Sequence, residues 1–105
     1  MWELVEALEV IRSLEKRISK VGWHVALAGG VLERGASDHD LDLVVFPDHN
    51  ERRPPFYDAV VALGWKRTHT VKQMQANFVK IGTGDTKCVE VWRDKKDRRI
   101  DLIIV

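Results

Sequence analysis

The sequence contains a single cysteine, Cys88, which excludes an intrachain disulfide and fits a reducing compartment. The N-terminal residues lack the basic start and apolar run of a signal peptide. No apolar stretch approaches the ~20 residues that a membrane-spanning helix needs. We therefore expect a cytoplasmic protein that does not associate with membranes.

The sequence also lacks a strong excess of charge of either sign, because 17 Lys and Arg stand against 16 Asp and Glu, for a net charge of +1. This balance argues against a protein that binds nucleic acid by electrostatics alone, but it allows a local basic patch. One charged run, over residues 94–99, is most simply a solvated hairpin turn. Its functional alternative is a small patch for the phosphates of RNA, DNA or a nucleotide.

The length of 105 residues predicts one domain that spans residues 1–105, and the 45% of hydrophobic residues supply one core. The chain has four tryptophans. We interpret them as core and rim residues rather than as a base-stacking platform; they are Trp2, Trp23, Trp65 and Trp92.

Apolar residues at spacings of three and four predict an amphipathic helix from about Trp2 to Lys20, which ends at Gly22. A second helix is predicted after Pro54 and Pro55, with an apolar face that includes Val61 and a stop at Gly64. Strands are predicted over 24–28, 41–46, 65–70, 76–81, 88–93 and 99–105, with turns over 82–85 and 94–97. The last two strands should form a hairpin. This order predicts an α+β (α/β) fold: a mixed sheet of about five strands with helices packed on one face.

Asp40 and Asp42 carry the strongest chemical signal. They are two residues apart at the start of an apolar strand, so they share one face of the sheet, with Cα atoms roughly 6.5 Å apart. Adjacent carboxylates repel, and a divalent cation with a preference for hard oxygen ligands, Mg²⁺ or Mn²⁺, removes that repulsion. The alternative is a solvated strand end with capping aspartates.

Asp101 is an acid inside a strongly apolar strand, where a buried carboxylate needs a partner. It joins Asp40 and Asp42 if its strand lies beside theirs, and three converging carboxylates suit two-metal phosphoryl transfer. The alternatives are an edge strand with a solvated face, or a salt bridge to Arg99. Two glycines, Gly29 and Gly30, follow the first strand, where they either form a turn or allow the backbone to close around a phosphate.

Together these features resemble the signature of the DNA polymerase β nucleotidyltransferase superfamily. That signature has a glycine pair after a first strand, an acid-x-acid pair about ten residues later on the second strand, and a third acid on a later strand. Gly29-Gly30, Asp40-Leu41-Asp42 and Asp101 match it in order. The resemblance covers residues 28–105 and implies the nucleotidyltransferase fold.

The resemblance also implies the roles of individual residues in the transfer of a nucleoside monophosphate from a triphosphate, such as ATP, to a hydroxyl acceptor. Asp40 and Asp42 would bind both metal ions, and Asp101 would complete the coordination shell of the second metal ion and help to deprotonate the attacking hydroxyl. The residues expected near the triphosphate are Gly29, Gly30, Arg34, Ser37 and His39. Arg34 and His39 have the simpler interpretation of a solvated helix residue and a polar loop residue.

Many relatives carry a second, helical domain after the third acid, whereas this sequence continues for four residues after Asp101. It resembles the minimal nucleotidyltransferases, in which a partner protein or a second copy could supply the missing half. The acceptor is a nucleic acid, a protein or a small molecule. One alternative is a non-catalytic, antitoxin-like module that binds nucleotide or a partner on the same fold. Another is a metal-dependent nuclease built on Asp42 and Glu90.

Overall fold

The computed structural model describes residues 2–38, 40–49, 52–68 and 88–105. His39, the strand predicted over 76–81 and the turn predicted over 82–85 lie outside the described residues. Three α-helices are described: α1 (Leu4–Ile18), α2 (Gly29–Arg34) and α3 (Arg53–Ala62). The described strands are β1 (Trp2–Glu3), β2 (Trp23–Ala28), β3 (Ala36–Ser37), β4 (Asp40–Pro47), β5 (Lys66–Arg67), β6 (Cys88–Arg93) and β7 (Arg99–Ile104).

The first helix begins at Leu4, so its predicted start at Trp2 was wrong. Trp2 and Glu3 instead form a short strand that pairs with β3. The Trp2 indole N–H donates to the carbonyl of Arg99 at 2.9 Å. These two residues are 97 apart in the sequence, so local periodicity does not predict their contact. Glu3 caps the helix through a reciprocal capping box with Glu6, which satisfies backbone N–H groups of the first turn.

Five of the described strands form one mixed sheet in the order β2-β4-β7-β6-β5. β4 and β7 are parallel, and the other neighbouring pairs are antiparallel. The predicted hairpin is present, because β6 and β7 pair antiparallel around the turn over 94–98. The predicted mixed sheet with packed helices is therefore confirmed.

The alternation along β4 and β7 separates two faces of the sheet. Leu41, Leu43 and Val45 are fully buried in one cluster with residues of α1 and α3, as are Ile100, Leu102 and Ile104. All four tryptophans are at most 7% exposed, which confirms their prediction as core residues. Asp40, Asp42 and Asp101 alternate with these apolar residues and therefore project from the opposite face.

The α3 helix carries two prolines in its first turn and is followed by Gly64, which has a φ of +85°. Phe56 and Val60 are buried at a spacing of four, whereas Val61 is 59% exposed. The prediction that Val61 belongs to the buried face was therefore wrong. Val60 and Val61 are consecutive, and consecutive residues of a helix point in different directions. No helix among the described residues has the length and hydrophobicity that crossing a membrane requires.

Candidate metal and nucleotide site

Parallel pairing of β4 with β7 brings the three aspartates together. Asp42 lies opposite Asp101 in the register, and Asp40 lies opposite Arg99. Opposed residues on neighbouring strands project from the same face of a sheet. One carboxylate oxygen from each aspartate lies within 4.8 Å of the others. The structure thus places Asp40, Asp42 and Asp101 in a single cluster.

The electrostatics of this cluster show that the negative charges are not fully compensated. Burial raises the pKa of Asp42 to about 6, and repulsion from Asp40 and Asp101 adds to the effect. The pKa of Asp101 is also raised, chiefly by burial, although Arg99 opposes this shift. A cation placed among the three carboxylates would favour their ionised forms and reverse these shifts.

Arg99 belongs to the cluster and was not among the predicted site residues. Its Nε donates to Oδ1 of Asp101 at 3.0 Å, and its NH2 group donates to Oδ2 at 3.4 Å. The edge-strand interpretation of Asp101 was wrong because β7 lies in the middle of the sheet, whereas the salt bridge to Arg99 is present alongside the cluster. The spacing of two residues on one strand is the signal that could have identified Arg99.

Gly29 is in direct contact with the cluster. Its φ is +67°, and a Cβ atom added to it would collide with the carboxylate of Asp42. Gly29 and Gly30 open the α2 helix immediately after β2, so their interpretation as a simple turn was wrong. The absence of a side chain at Gly29 is therefore what allows the start of α2 and the Asp42 carboxylate to approach each other.

Arg34 and Ser37 lie beside the start of α2 and the aspartate cluster. A Cβ atom added to Gly30 would meet the guanidinium of Arg34, so this otherwise exposed side chain folds back over the glycine. Ser37 is buried, and its hydroxyl donates to Oδ1 of Asp40 at 3.5 Å. The structure therefore brings Gly29, Gly30, Arg34 and Ser37 to the edge of the cluster, while His39 is outside the described residues.

Glu90 lies on the other face of the sheet. It pairs with Leu102 in the register and therefore shares the apolar face, where it is fully buried. Its carboxylate accepts hydrogen bonds from the Tyr57 hydroxyl at 2.7 Å, from Arg67 at 3.2 Å and from the Trp92 indole at 3.1 Å. The nuclease hypothesis built on Asp42 and Glu90 was therefore wrong, because the sheet separates the two carboxylates.

The chemistry of the cluster fits a divalent metal ion. Three carboxylates supply hard oxygen ligands, which suit Mg²⁺ and Mn²⁺. Their shared face and their mutual repulsion in the absence of an ion both favour binding. Arg99 forms hydrogen bonds with Asp101, and its charge also opposes the rise in the pKa of Asp42. One cation faces three carboxylates, so part of the negative charge of the cluster remains for a metal ion.

The overall fold is similar to that of a solved cytoplasmic RNA terminal U-transferase, with a TM-score of 0.61 and 16% sequence identity. The match covers 96% of this chain and 28% of the transferase chain. At this identity the likeness establishes the fold, which is nucleotidyltransferase-like. No protein-family model matches the sequence, and no curated protein matches it.

Proposed function

We propose that this chain is a divalent-metal-dependent nucleotidyltransferase, which transfers a nucleoside monophosphate from a nucleoside triphosphate to a hydroxyl acceptor. The observation that carries the proposal is the convergence of Asp40, Asp42 and Asp101 on one sheet face, in contact with Gly29. The similarity to the fold of a terminal U-transferase supports it.

In this proposal Asp40 and Asp42 hold the metal ions, and Asp101 contributes to the ion on the acceptor side. When bound, Mg²⁺ or Mn²⁺ would neutralise the negative charge that develops on the α-phosphate and on the pyrophosphate leaving group. Asp101 also accepts the proton of the attacking hydroxyl. Its pKa is already raised by burial, which brings a carboxylate closer to the range of an effective general base.

The triphosphate is proposed to lie over the start of α2. Gly29 and Gly30 carry no side chains there, so the ligand can approach the backbone closely. Arg34 is exposed and its guanidinium lies beside Gly30, where it can move onto a phosphate oxygen and form charge-assisted hydrogen bonds. Ser37 orients Asp40 through its hydroxyl, and His39 remains a predicted phosphate contact.

The acceptor and the rest of the binding site are further parts of the proposal. This chain spans 28% of the length of the transferase that it resembles. We propose that a partner protein or a second copy of this chain adds contacts to the base and the acceptor. The acceptor class, whether nucleic acid, protein or small molecule, is decided by those contacts.

The experiment measures pyrophosphate release from each of the four ribonucleoside triphosphates, with Mg²⁺, with Mn²⁺ and with EDTA, and with cell lysate as a source of acceptor. We expect metal-dependent release that Asp42→Asn abolishes and that Asp58→Asn, a change to an exposed carboxylate on α3, leaves intact. Asp101→Ala should retain much of the triphosphate binding but reduce turnover, since Asp101 acts on the acceptor side. Equal triphosphate affinity with and without metal would refute the mechanism. Metal-dependent binding without turnover on any acceptor would favour the non-catalytic binding module.

A further inference from the structure

A row of cations crosses the sheet on the face that carries the aspartates. Arg99 on β7 lies opposite Asp40 on one side and opposite Arg93 on the other. Arg93 on β6 in turn lies opposite Lys66 on β5. Because opposed residues on neighbouring strands project from the same face, and neighbouring strands are about 4.8 Å apart, the three cations span about 10 Å. We call Arg99, Arg93 and Lys66 the basic row.

The residues next to the basic row in sequence lie on the other face, as alternation along a strand requires. Arg67 follows Lys66 and donates to the carboxylate of Glu90 at 3.2 Å. Trp92 precedes Arg93 and donates to the same carboxylate at 3.1 Å. Glu90 is fully buried on the face that packs against the helices. The side chains of the basic row therefore project away from the helices, on the side of the aspartates.

The outer part of the basic row carries positive charge that is free to bind an anion. Lys66 is exposed and Arg93 is half-buried, and within the described residues no carboxylate forms an ion pair with either of them. Asp94, which follows Arg93, is instead bound by Arg98 at 2.8 Å. Arg93 donates one N–H to the carbonyl of Asp97 at 3.0 Å, which leaves further donors of its guanidinium for a ligand.

The order of the strands places the basic row on the acceptor side of the proposed reaction. The triphosphate is proposed to lie at the start of α2, which follows β2, whereas the basic row extends over β7, β6 and β5 at the opposite side of β4. In the proposed transfer the acceptor oxygen forms a bond to the α-phosphorus, the bond to the pyrophosphate oxygen breaks, and the hydroxyl proton passes to Asp101. The reacting hydroxyl therefore lies next to Arg99, and the rest of the acceptor extends over Arg93 and Lys66.

An acceptor that fits this site carries anionic groups at short, regular distances from its reacting hydroxyl. In a polynucleotide the terminal hydroxyl and the nearest phosphodiester belong to the same nucleotide, and further phosphates follow along the chain. The hydroxyl of a serine, threonine or tyrosine has no such anion attached, and a small phosphorylated molecule is too short to reach Lys66. Arginine also matches phosphate through paired hydrogen bonds. Resting on the proposed function, we infer that its acceptor is the hydroxyl end of a polynucleotide, whose last phosphates lie along the basic row.

The test measures binding without turnover, by fluorescence anisotropy with a labelled single-stranded RNA of about six nucleotides, in Mg²⁺ and without triphosphate. Arg93→Ala/Lys66→Ala should weaken binding by about tenfold or more at low salt and make the log–log salt slope shallower by about 1.4, for two lost phosphate contacts. Arg93→Gln/Lys66→Gln, which keeps a polar side chain at both positions, should do the same. An uncharged methylphosphonate at the linkage nearest the free 3′ hydroxyl should weaken wild-type binding more than the same change at the other end. Equal effects at the two ends would overturn the inference.

The matched control is Arg12→Ala/Lys16→Ala, which also removes one arginine and one lysine, from exposed positions of α1. This variant should bind RNA like the wild type, and an equal loss of affinity would overturn the inference by showing non-specific attraction. Displacement of the RNA by polyglutamate of equal charge, as effectively as by unlabelled RNA, would overturn it in favour of an acidic protein acceptor. Equally effective displacement by adenosine 5′-monophosphate would overturn it in favour of a small phosphorylated acceptor.

Calorimetric titration of the wild type with a triphosphate, with and without Mg²⁺, separates this inference from the proposed function. Metal-dependent triphosphate binding, together with RNA affinity that the basic-row variants leave unchanged, would overturn the inference and leave the proposed function in place. Triphosphate binding that does not depend on metal would refute the proposed function, and with it the inference about the acceptor, whatever the RNA affinity.

Discussion

Gly29 and Asp42 are so close that no side chain fits between them. The carboxylate of Asp42 occupies the position that a Cβ atom of Gly29 would take, and the backbone of Gly29 has a φ of +67°. Ala28, the residue before Gly29, pairs with Asp42 across β2 and β4. The strand register therefore fixes the contact, and the start of α2 is built directly onto a candidate metal ligand.

We expect Gly29→Ala to damage both stability and metal binding. The positive φ alone should destabilise the protein by about 1–2 kcal/mol, and the collision with Asp42 should add to this and displace the carboxylate. Gly35→Ala is the matched control, since Gly35 has a φ of +79° but no atom within 4 Å of an added Cβ. Thermal unfolding with and without Mn²⁺ measures both effects. If Gly35→Ala lost the metal-induced stabilisation to the same extent, backbone strain rather than the contact with Asp42 would explain the result.

Asp42→Asn should leave the metal-free protein as stable as the wild type or more stable. The ionised carboxylate is disfavoured in the folded state, where burial raises the pKa of Asp42 to about 6, and an amide removes the repulsion. Metal at a hundredfold excess over its Kd should stabilise the wild type by about 2.7 kcal/mol, but not this variant. Melting curves with and without MgCl₂ test this, with Asp58→Asn as the control. Unfolding of Asp42→Asn without metal would show instead that Asp42 is a structural residue.

Glu90→Ala should destabilise the protein and leave metal binding unchanged. The substitution leaves the Tyr57 hydroxyl and the Trp92 indole without their acceptor, which should cost about 1–3 kcal/mol. Arg67 is half exposed and can be solvated by water, so it adds little to the loss. Denaturant unfolding measures the free energy, and calorimetric titration with Mn²⁺ measures the metal site. A fall in Mn²⁺ affinity without a fall in stability would contradict the separation of the two sheet faces.

His24 should make stability depend on pH. Its Nδ1 lies 2.9 Å from Oε2 of Glu15, and its Nε2 lies 2.6 Å from Oδ1 of Asp48. Only the imidazolium can donate to both carboxylates, and the pKa of His24 is raised above 6.5, chiefly by the hydrogen bond to Glu15. The stabilisation is therefore complete below pH 6.5 and is lost as the pH rises through the higher pKa of the folded state.

Nuclear magnetic resonance titration of His24 gives its pKa directly. Melting temperatures of the wild type and of His24→Gln between about pH 5 and pH 8 give the linked stability. The difference between the two proteins should shrink as the pH rises. A measured pKa below 6.5, or a difference that grows with pH, would contradict this assignment.

Much of the fold could be predicted because its signals are local. Residues that are neighbours in the sequence are enough to predict three features: the period of α1, the alternation in β4 and β7, and the turn over 94–98. The convergence of the aspartates was predicted on the condition that β7 lies beside β4, and alternation then fixes the shared face. The pairing of β7 with β4 is a long-range contact, which the local pattern does not predict. The resemblance to a known family was the basis for expecting it.

The features that the sequence did not predict depend on distant contacts. Trp2 lies in a strand that pairs with β3, and its side chain contacts residues far along the sequence: its indole bonds to Arg99, and the centre of its ring lies 4.0 Å from the Arg98 guanidinium. Glu90 was considered only as a nuclease residue with Asp42, and the register with Leu102 shows instead that it is buried on the apolar face. The Gly29 contact with Asp42 likewise follows from strand pairing and not from either residue alone.

The position of β7 in the middle of the sheet has a consequence for biosynthesis. β7 (residues 99–104) lies between β4 and β6 in the sheet. β4 and β6 therefore lack the strand that joins them until residue 104 has been translated. A nascent chain emerges from its N-terminus, and the edges of β4 and β6 that face β7 therefore keep unpaired backbone N–H and C=O groups until residue 104 has left the ribosome. Folding of the sheet, and with it the first encounter of Asp42 with Asp101, must then follow translation of this strand rather than accompany it.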